Sequence, residues 1–129
     1  LGVLIQKKIA VWGLTYKAGT NTLRRSGALD ICRELAAQGV LIRAYDPAVP
    51  QLPETAAQFV TLASSAELAM EGADALVLFT GWPEFKEIDP SVFLRAMRDP
   101  LVLDANRFLA DTLEKVEGIR YITVGKGVV

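Results

Sequence analysis

Short apolar runs alternate with segments of helical period along the whole chain. The runs Lys8–Trp12 (KIAVW), Val40–Tyr45, Phe59–Leu62, Ala75–Phe79, Leu101–Leu103 and Arg120–Val124 are rich in Val, Ile, Leu and aromatics and read as buried strands. Between them the period changes. Ser26–Gln38 places Ala28, Ile31, Cys32 and Leu35 on one helical face and stops at Gly39. Ser65–Glu71 opens on Ser64-x-x-Glu67, a capping-box pattern. Pro90–Met97 has Asp89 as its cap and Pro90 at the first helical position, and a short helix is expected at Ala110–Lys115.

Strands that alternate with helices imply right-handed crossovers and a parallel sheet covered on both faces. The expected class is therefore α/β: a Rossmann-like three-layer αβα sandwich with a mostly parallel sheet of about five to six strands. Ligands in such sheets bind beyond the carboxyl ends of the strands. Four loops should gather there, Gly13–Arg25, Asp46–Pro50, Thr80–Glu87 and Asp104–Leu109. No internal repeat, low-complexity tract or interdomain linker interrupts the pattern, so residues 1–129 read as one domain.

Composition narrows the chemistry. With 129 residues, 51% of them hydrophobic and 22% charged, the chain is globular and needs no staples. A net charge of −1 supplies no general field for nucleic acid or an anionic membrane, so neither is expected as a partner and any anion site must be local. The absence of histidine excludes Ser-His-Asp and Cys-His catalysis and His-liganded metals within this chain. A single cysteine, Cys32, forms no intrachain disulfide and suits a reducing, cytoplasmic setting. It lies on the apolar face of the first helix and is expected to be core. No apolar run is long enough to span a bilayer, and LGVLIQKK at the start lacks signal-peptide order. The start at Leu1 rather than Met suggests a piece of something longer.

The loop GLTYKAGTNTLRRS (Gly13–Ser26) sits where an α/β protein holds phosphate, yet neither usual fingerprint is present. Five residues separate Gly13 from Gly19 and Thr20 follows, which fails the Walker spacing. Thr15 and Ala18 stand where a dinucleotide loop needs glycine. The donors of an anion site remain: Lys17, Arg24 and Arg25, the hydroxyls of Thr20, Thr22 and Ser26, and backbone N–H groups at a helix start. Tyr16 adds an aromatic face. A diphosphate bearing a flat group would satisfy this set; a solvated basic loop is the alternative.

Four blocks in order, GLTYKAGTNTLRRSGALDICREL, RAYDP (Arg43–Pro47), ADALVLFTGWPEF (Ala73–Phe85) and VLDANRF (Val102–Phe108), resemble the C-terminal, nucleotide-sugar-binding domain of the UDP-glucose/GDP-mannose dehydrogenase family. The resemblance runs from about Lys8 to Gly127. It implies that Tyr16 and Lys17 bind a nucleotide-sugar and that Arg24 reaches an NAD held mainly by an N-terminal domain outside this chain. It further implies an enzyme that oxidises a sugar C6 alcohol to a carboxylate in two hydride transfers through a thiohemiacetal on a cysteine. That cysteine's motif is absent here, so the chain alone is expected to be inactive. A central helical domain, a homo-oligomer and a cytoplasmic location belong to the same expectation. Thr22, Arg25 and Gly27 depart from the family's acid, Glu and Pro, and the first two changes make the loop more positive. In the fourth block the family's substrate-binding Arg position holds Asn106, with Arg107 one residue later, so both are candidate substrate contacts.

Asp46 lies 33 positions after Gly13, farther than the roughly 20 of a ribose-binding acid, and Asp46-Pro47 reads as a turn. Trp82, Pro83 and Phe85 wall the cleft, pack in the core or meet the absent domain. Asp104 is read as orienting the Asn106–Arg107 loop. The other reading of the whole chain is a stand-alone nucleotide-binding or protein-interaction module without catalysis.

Overall fold

A computed structural model describes residues 7–15 and 27–123. Tyr16, Lys17, Arg24 and Arg25 therefore lie outside the described residues. The elements run β1 (Lys8–Trp12), α1 (Gly27–Ala37), β2 (Leu41–Tyr45), α2 (Glu54–Ala57), β3 (Thr61–Leu62), α3 (Ala66–Met70), β4 (Ala75–Leu78), a 3₁₀ segment (Pro83–Glu87), α4 (Pro90–Ala96), β5 (Leu101–Asp104), α5 (Ala110–Leu113) and β6 (Arg120–Ile122). All five neighbouring strand pairs are parallel, in the order β3-β2-β1-β4-β5-β6. This is the doubly wound order, and it confirms the expected sandwich.

The alternation along β1 explains the layers. Val11 faces α1 and joins Ala28, Cys32, Ile42 and Ala44 in one cluster. Ala10 and Trp12 face the other way, toward α3, α4 and α5, with Leu76, Val102, Phe93 and Leu113. Trp12 is fully buried. Its ring stacks on Phe85 at 4.7 Å between centroids and meets Phe93 edge-on at 5.4 Å, and its Nε1 donates to the Ala66 carbonyl at 3.0 Å. Because helices lie on opposite faces of the two halves, the chain leaves β1 and β4 in opposite directions, and a crevice opens at their adjacent carboxyl ends.

Several boundaries differ from expectation for local reasons. Val40 closes the turn that follows α1, donating to the Leu35 carbonyl at 3.2 Å, so β2 begins at Leu41. Phe59 and Val60 close the α2 turn on the Ala56 carbonyl, which shortens β3 to two residues. α2 and the 3₁₀ segment are single turns inside stretches that carry no helical period. Ser65 rather than Ser64 caps α3, its side chain accepting from Leu68 N at 3.1 Å. Asp89 caps α4 as expected, accepting from Ser91 N at 2.8 Å. α5 ends at Leu113, two residues before Lys115. No helix among the described residues is long and apolar enough to cross a membrane.

Candidate functional site at the carboxyl ends of the strands

Three loop exits meet at the crevice. The first leaves β1 at Gly13, whose φ of +90° suits glycine. A Cβ there would lie 2.4 Å from the Thr80 backbone nitrogen, so the β1 and β4 exits touch directly. Asp46, 1% exposed at the end of β2, then takes hold of the next two residues. Its Oδ2 accepts from Leu14 N at 2.7 Å, Thr15 N at 3.0 Å and Thr15 Oγ1 at 3.0 Å. Its Oδ1 accepts from Ala48 N at 2.8 Å, the side-chain turn expected of Asp-Pro. With both oxygens engaged by the chain's own donors, Asp46 does not present itself to a ribose. From the β4 exit the buried Thr80 hydroxyl donates to the Thr15 carbonyl at 2.6 Å.

The second and third exits are joined in the same way. A Cβ on Gly81 would meet the Phe108 ring at 2.5 Å, so glycine lets the β5 loop lie against the β4 loop without displacing that ring. The Lys86 ammonium sits 4.5 Å from the centre of that ring, a cation–π contact that reinforces the junction. Phe85 is fully buried and belongs to the core. Trp82 is half-buried against it, and its Nε1 has no hydrogen-bond partner among the described residues.

At the β5 exit Asp104 is 1% exposed. Its Oδ2 accepts from Leu109 N and from the Tyr121 hydroxyl, both at 2.7 Å, and its main-chain carbonyl accepts from Arg107 N at 3.2 Å. Asp104 thus orients the loop, as its position suggested, and holds Arg107 at φ 56°, a left-handed conformation unusual for arginine. Asn106 is exposed. Arg107 Nη2 lies 2.8 Å from Glu114 Oε2, and that hydrogen bond is the main cause of a raised guanidinium pKa. Burial first, then the Asp104 hydrogen bond and charge, raise the Tyr121 phenol above its ordinary range. Asp104 Oδ1 is buried without a hydrogen-bond partner among the described residues.

Other features do not compete for the site. Cys32 is fully buried and burial pushes its thiol up to about 11, as a core cysteine requires. Among the described residues no group of His, Cys, Asp or Glu could hold a metal ion. A cavity of about 710 Å³ opens at the opposite, amino-terminal end of β1 and β2, lined by Ile9, Arg33, Leu41, Arg43, Phe59 and Glu71. It lies away from the crevice and from every loop named above.

Of the expected site residues, Asn106 and Arg107 are placed at the crevice on the β5 exit. The Asp46 bonds to Leu14 and Thr15 and the Thr80 and Glu114 contacts were not foreseen, since they join residues far apart in sequence or lying in loops. Asp46 and Thr80 carried one sequence signal, a polar residue directly after a buried strand.

A doubly wound sheet with an occupied acid at the end of β2 and a basic, non-dinucleotide first loop defines a nucleotide-binding-type α/β domain outside the common dinucleotide pattern. The chain belongs to the UDP-glucose/GDP-mannose dehydrogenase family, and residues 10–111 match the model of that family's UDP binding domain. It is 36% identical over 122 aligned residues to the UDP-glucose 6-dehydrogenase of Rickettsia bellii, covering 92% of this chain and 28% of that protein. It is likewise 36% identical over 137 aligned positions to that of Pseudomonas aeruginosa, covering 98% of this chain and 30% of that protein. Among solved structures it is similar to the UDP-D-ManNAc dehydrogenase of Pyrococcus horikoshii, with a TM-score of 0.72 and 32% identity over 96% of this chain and 27% of that one. The chain thus spans less than a third of the length of these relatives.

Proposed function

We propose that residues 1–129 form the nucleotide-sugar-binding domain of an NAD-dependent UDP-glucose/GDP-mannose-type 6-dehydrogenase. The observation that carries the reading is the junction of the loops. Thr15, one residue before Tyr16, is bonded to Thr80, and Phe108, one residue after Arg107, packs on Gly81. Two adjacent residues of the β4 exit therefore hold the residue from which the first loop departs and the residue that follows Asn106 and Arg107.

On this reading Lys17 and Arg107 meet the diphosphate, Tyr16 covers the flat or sugar portion, and Asn106 supplies an amide. A bidentate guanidinium suits phosphate oxygens. Arg107 then exchanges or shares its Glu114 partner when substrate binds. NAD supplies the hydride-accepting chemistry when bound; by the family resemblance this chain's contribution is Arg24 at the cofactor's edge. The nucleophilic cysteine and the main cofactor loop belong to preceding domains, so the isolated chain is inactive. A cytoplasmic, homo-oligomeric parent enzyme completes the proposal.

The test is steady-state kinetics of Lys17→Ala in the full-length enzyme. A charge-assisted hydrogen bond contributes about 1.5–3 kcal/mol, so KM for the nucleotide-sugar should rise about tenfold or more while KM for NAD stays unchanged. An unchanged KM for the nucleotide-sugar removes Lys17 from the site.

A further inference from the structure

We infer that Asp46 and Thr80 are positioning residues for substrate, acting by fixing the point from which the binding loop departs. The inference rests on the proposed role of Tyr16 and Lys17. Leu14 and Thr15 are the last described residues of the β1 exit. Leu14 and Thr15 donate two backbone N–H groups and one hydroxyl to Asp46 Oδ2, and Thr15 accepts at its carbonyl from Thr80 Oγ1. The peptide units on both sides of Thr15 are thereby held, one by a strand-end acid and the other by the neighbouring strand's hydroxyl. Gly13, pressed against Thr80, removes the slack before them. Thr15 and Asp46 are both almost wholly buried, so water does not substitute for these bonds.

The acid at Asp46 is chemically specific. Both of its oxygens accept from N–H groups, Oδ2 from Leu14 and Thr15 and Oδ1 from Ala48. An asparagine in the same place turns its NH₂ either toward the Leu14 and Thr15 donors, breaking the anchor, or toward Ala48 N, breaking the turn that fixes the side chain. At Thr80 only the hydroxyl matters for the Thr15 carbonyl, so serine keeps the anchor and valine loses it at nearly constant volume.

The experiment is a set of variants in the full-length enzyme: Thr80→Val, Thr80→Ser, Asp46→Asn and, as reference, Lys17→Ala. KM is measured for the nucleotide-sugar and for NAD, with kcat at saturation of both. Thr80→Val and Asp46→Asn should raise KM for the nucleotide-sugar by about fivefold or more, the scale of one buried hydrogen bond, with kcat and KM for NAD within about twofold. Thr80→Ser should restore the wild-type value. Should Asp46→Asn fail to fold, the Thr80 pair carries the comparison alone. If Lys17→Ala raises KM but Thr80→Val does not, the anchoring role is overturned and the functional reading stands. If Thr80→Val damages both substrates' KM values alike, or Thr80→Ser is as impaired as Thr80→Val, the residue is merely structural and the inference falls. If Lys17→Ala has no effect, the loop's role is overturned and the anchor's with it.

Discussion

Gly13 concentrates, in one residue, the reason the crevice has its shape. The strand exit turns with φ +90°, and the space a Cβ needs is taken by Thr80 backbone atoms, which cannot move aside as a side-chain tip could. Alanine there adds the cost of a left-handed backbone, about 1–2 kcal/mol, to a clash with the main chain of β4's exit. Gly13→Ala should therefore destabilise the domain by more than about 2 kcal/mol in urea unfolding, well beyond an ordinary surface change. A loss within error of zero would mean that the two exits are not in contact. The first glycine of the loop was visible in the sequence, but its physical need was not. That need arises from Thr80, whose place beside it is set by the pairing of β1 with β4. The same holds for Asp46. Asp-Pro announced a turn, and the Ala48 hydrogen bond is that turn, whereas the three bonds to Leu14 and Thr15 span 31 and 32 residues and required the fold.

At the scale of elements, legibility followed length and burial. The six strands could be read as short runs rich in Val, Ile, Leu and aromatics, and the central pair β1 and β4 buries residues on both faces, a pattern no helical period mimics. α1 and α4 could be read from period and from their ends. α2 and the 3₁₀ segment could not, since one turn of helix displays no repeat to detect. The β5 exit illustrates how such elements are tied. Asp104 joins the start of α5, through Leu109 N, to β6, through Tyr121. The Tyr121 hydrogen bond leaves a measurable trace at alkaline pH. The native phenol's pKa is raised, chiefly by burial and then by Asp104, above the ordinary tyrosine value of about 10. As pH rises past that value the unfolded chain releases the proton while the native chain keeps it. The native state then binds more protons, and stability falls with rising pH. Tyr121→Phe should flatten the decline of the urea midpoint between about pH 9 and pH 11 relative to wild type. Equal slopes in the two proteins would show that the native Tyr121 phenol is not raised above its unfolded value.

For the whole molecule, the decisive property is that a familiar architecture carries an unfamiliar first loop. Parallel strands and a ligand edge at their carboxyl ends follow from the hydrophobic pattern, and the structure adds the doubly wound order. The missing glycine fingerprint and the committed Asp46 then argue against a self-contained dinucleotide site, while the basic, aromatic loop argues for an anionic ligand with a planar group. Membership of the UDP-glucose/GDP-mannose dehydrogenase family fits both, and the chain spans under a third of the length of its relatives. The order Asn106-Arg107 was legible as a departure from the family. Its consequence, an arginine in a left-handed turn paired with Glu114, was not, because it depends on where α5 begins.

On the proposed function, this domain binds the nucleotide of the substrate through its crevice loops. The measurement that tests it most directly is an amide-resolved NMR titration of residues 1–129 with UDP, GDP and NAD, repeated on Lys17→Ala. The account predicts shifts with UDP or GDP centred on Leu14–Lys17 and Asn106–Arg107, lost in the variant, and NAD shifts confined to the neighbourhood of Arg24. Nucleotide shifts that instead map to the cavity at the amino-terminal ends of β1 and β2, or that persist unchanged in Lys17→Ala, would contradict it.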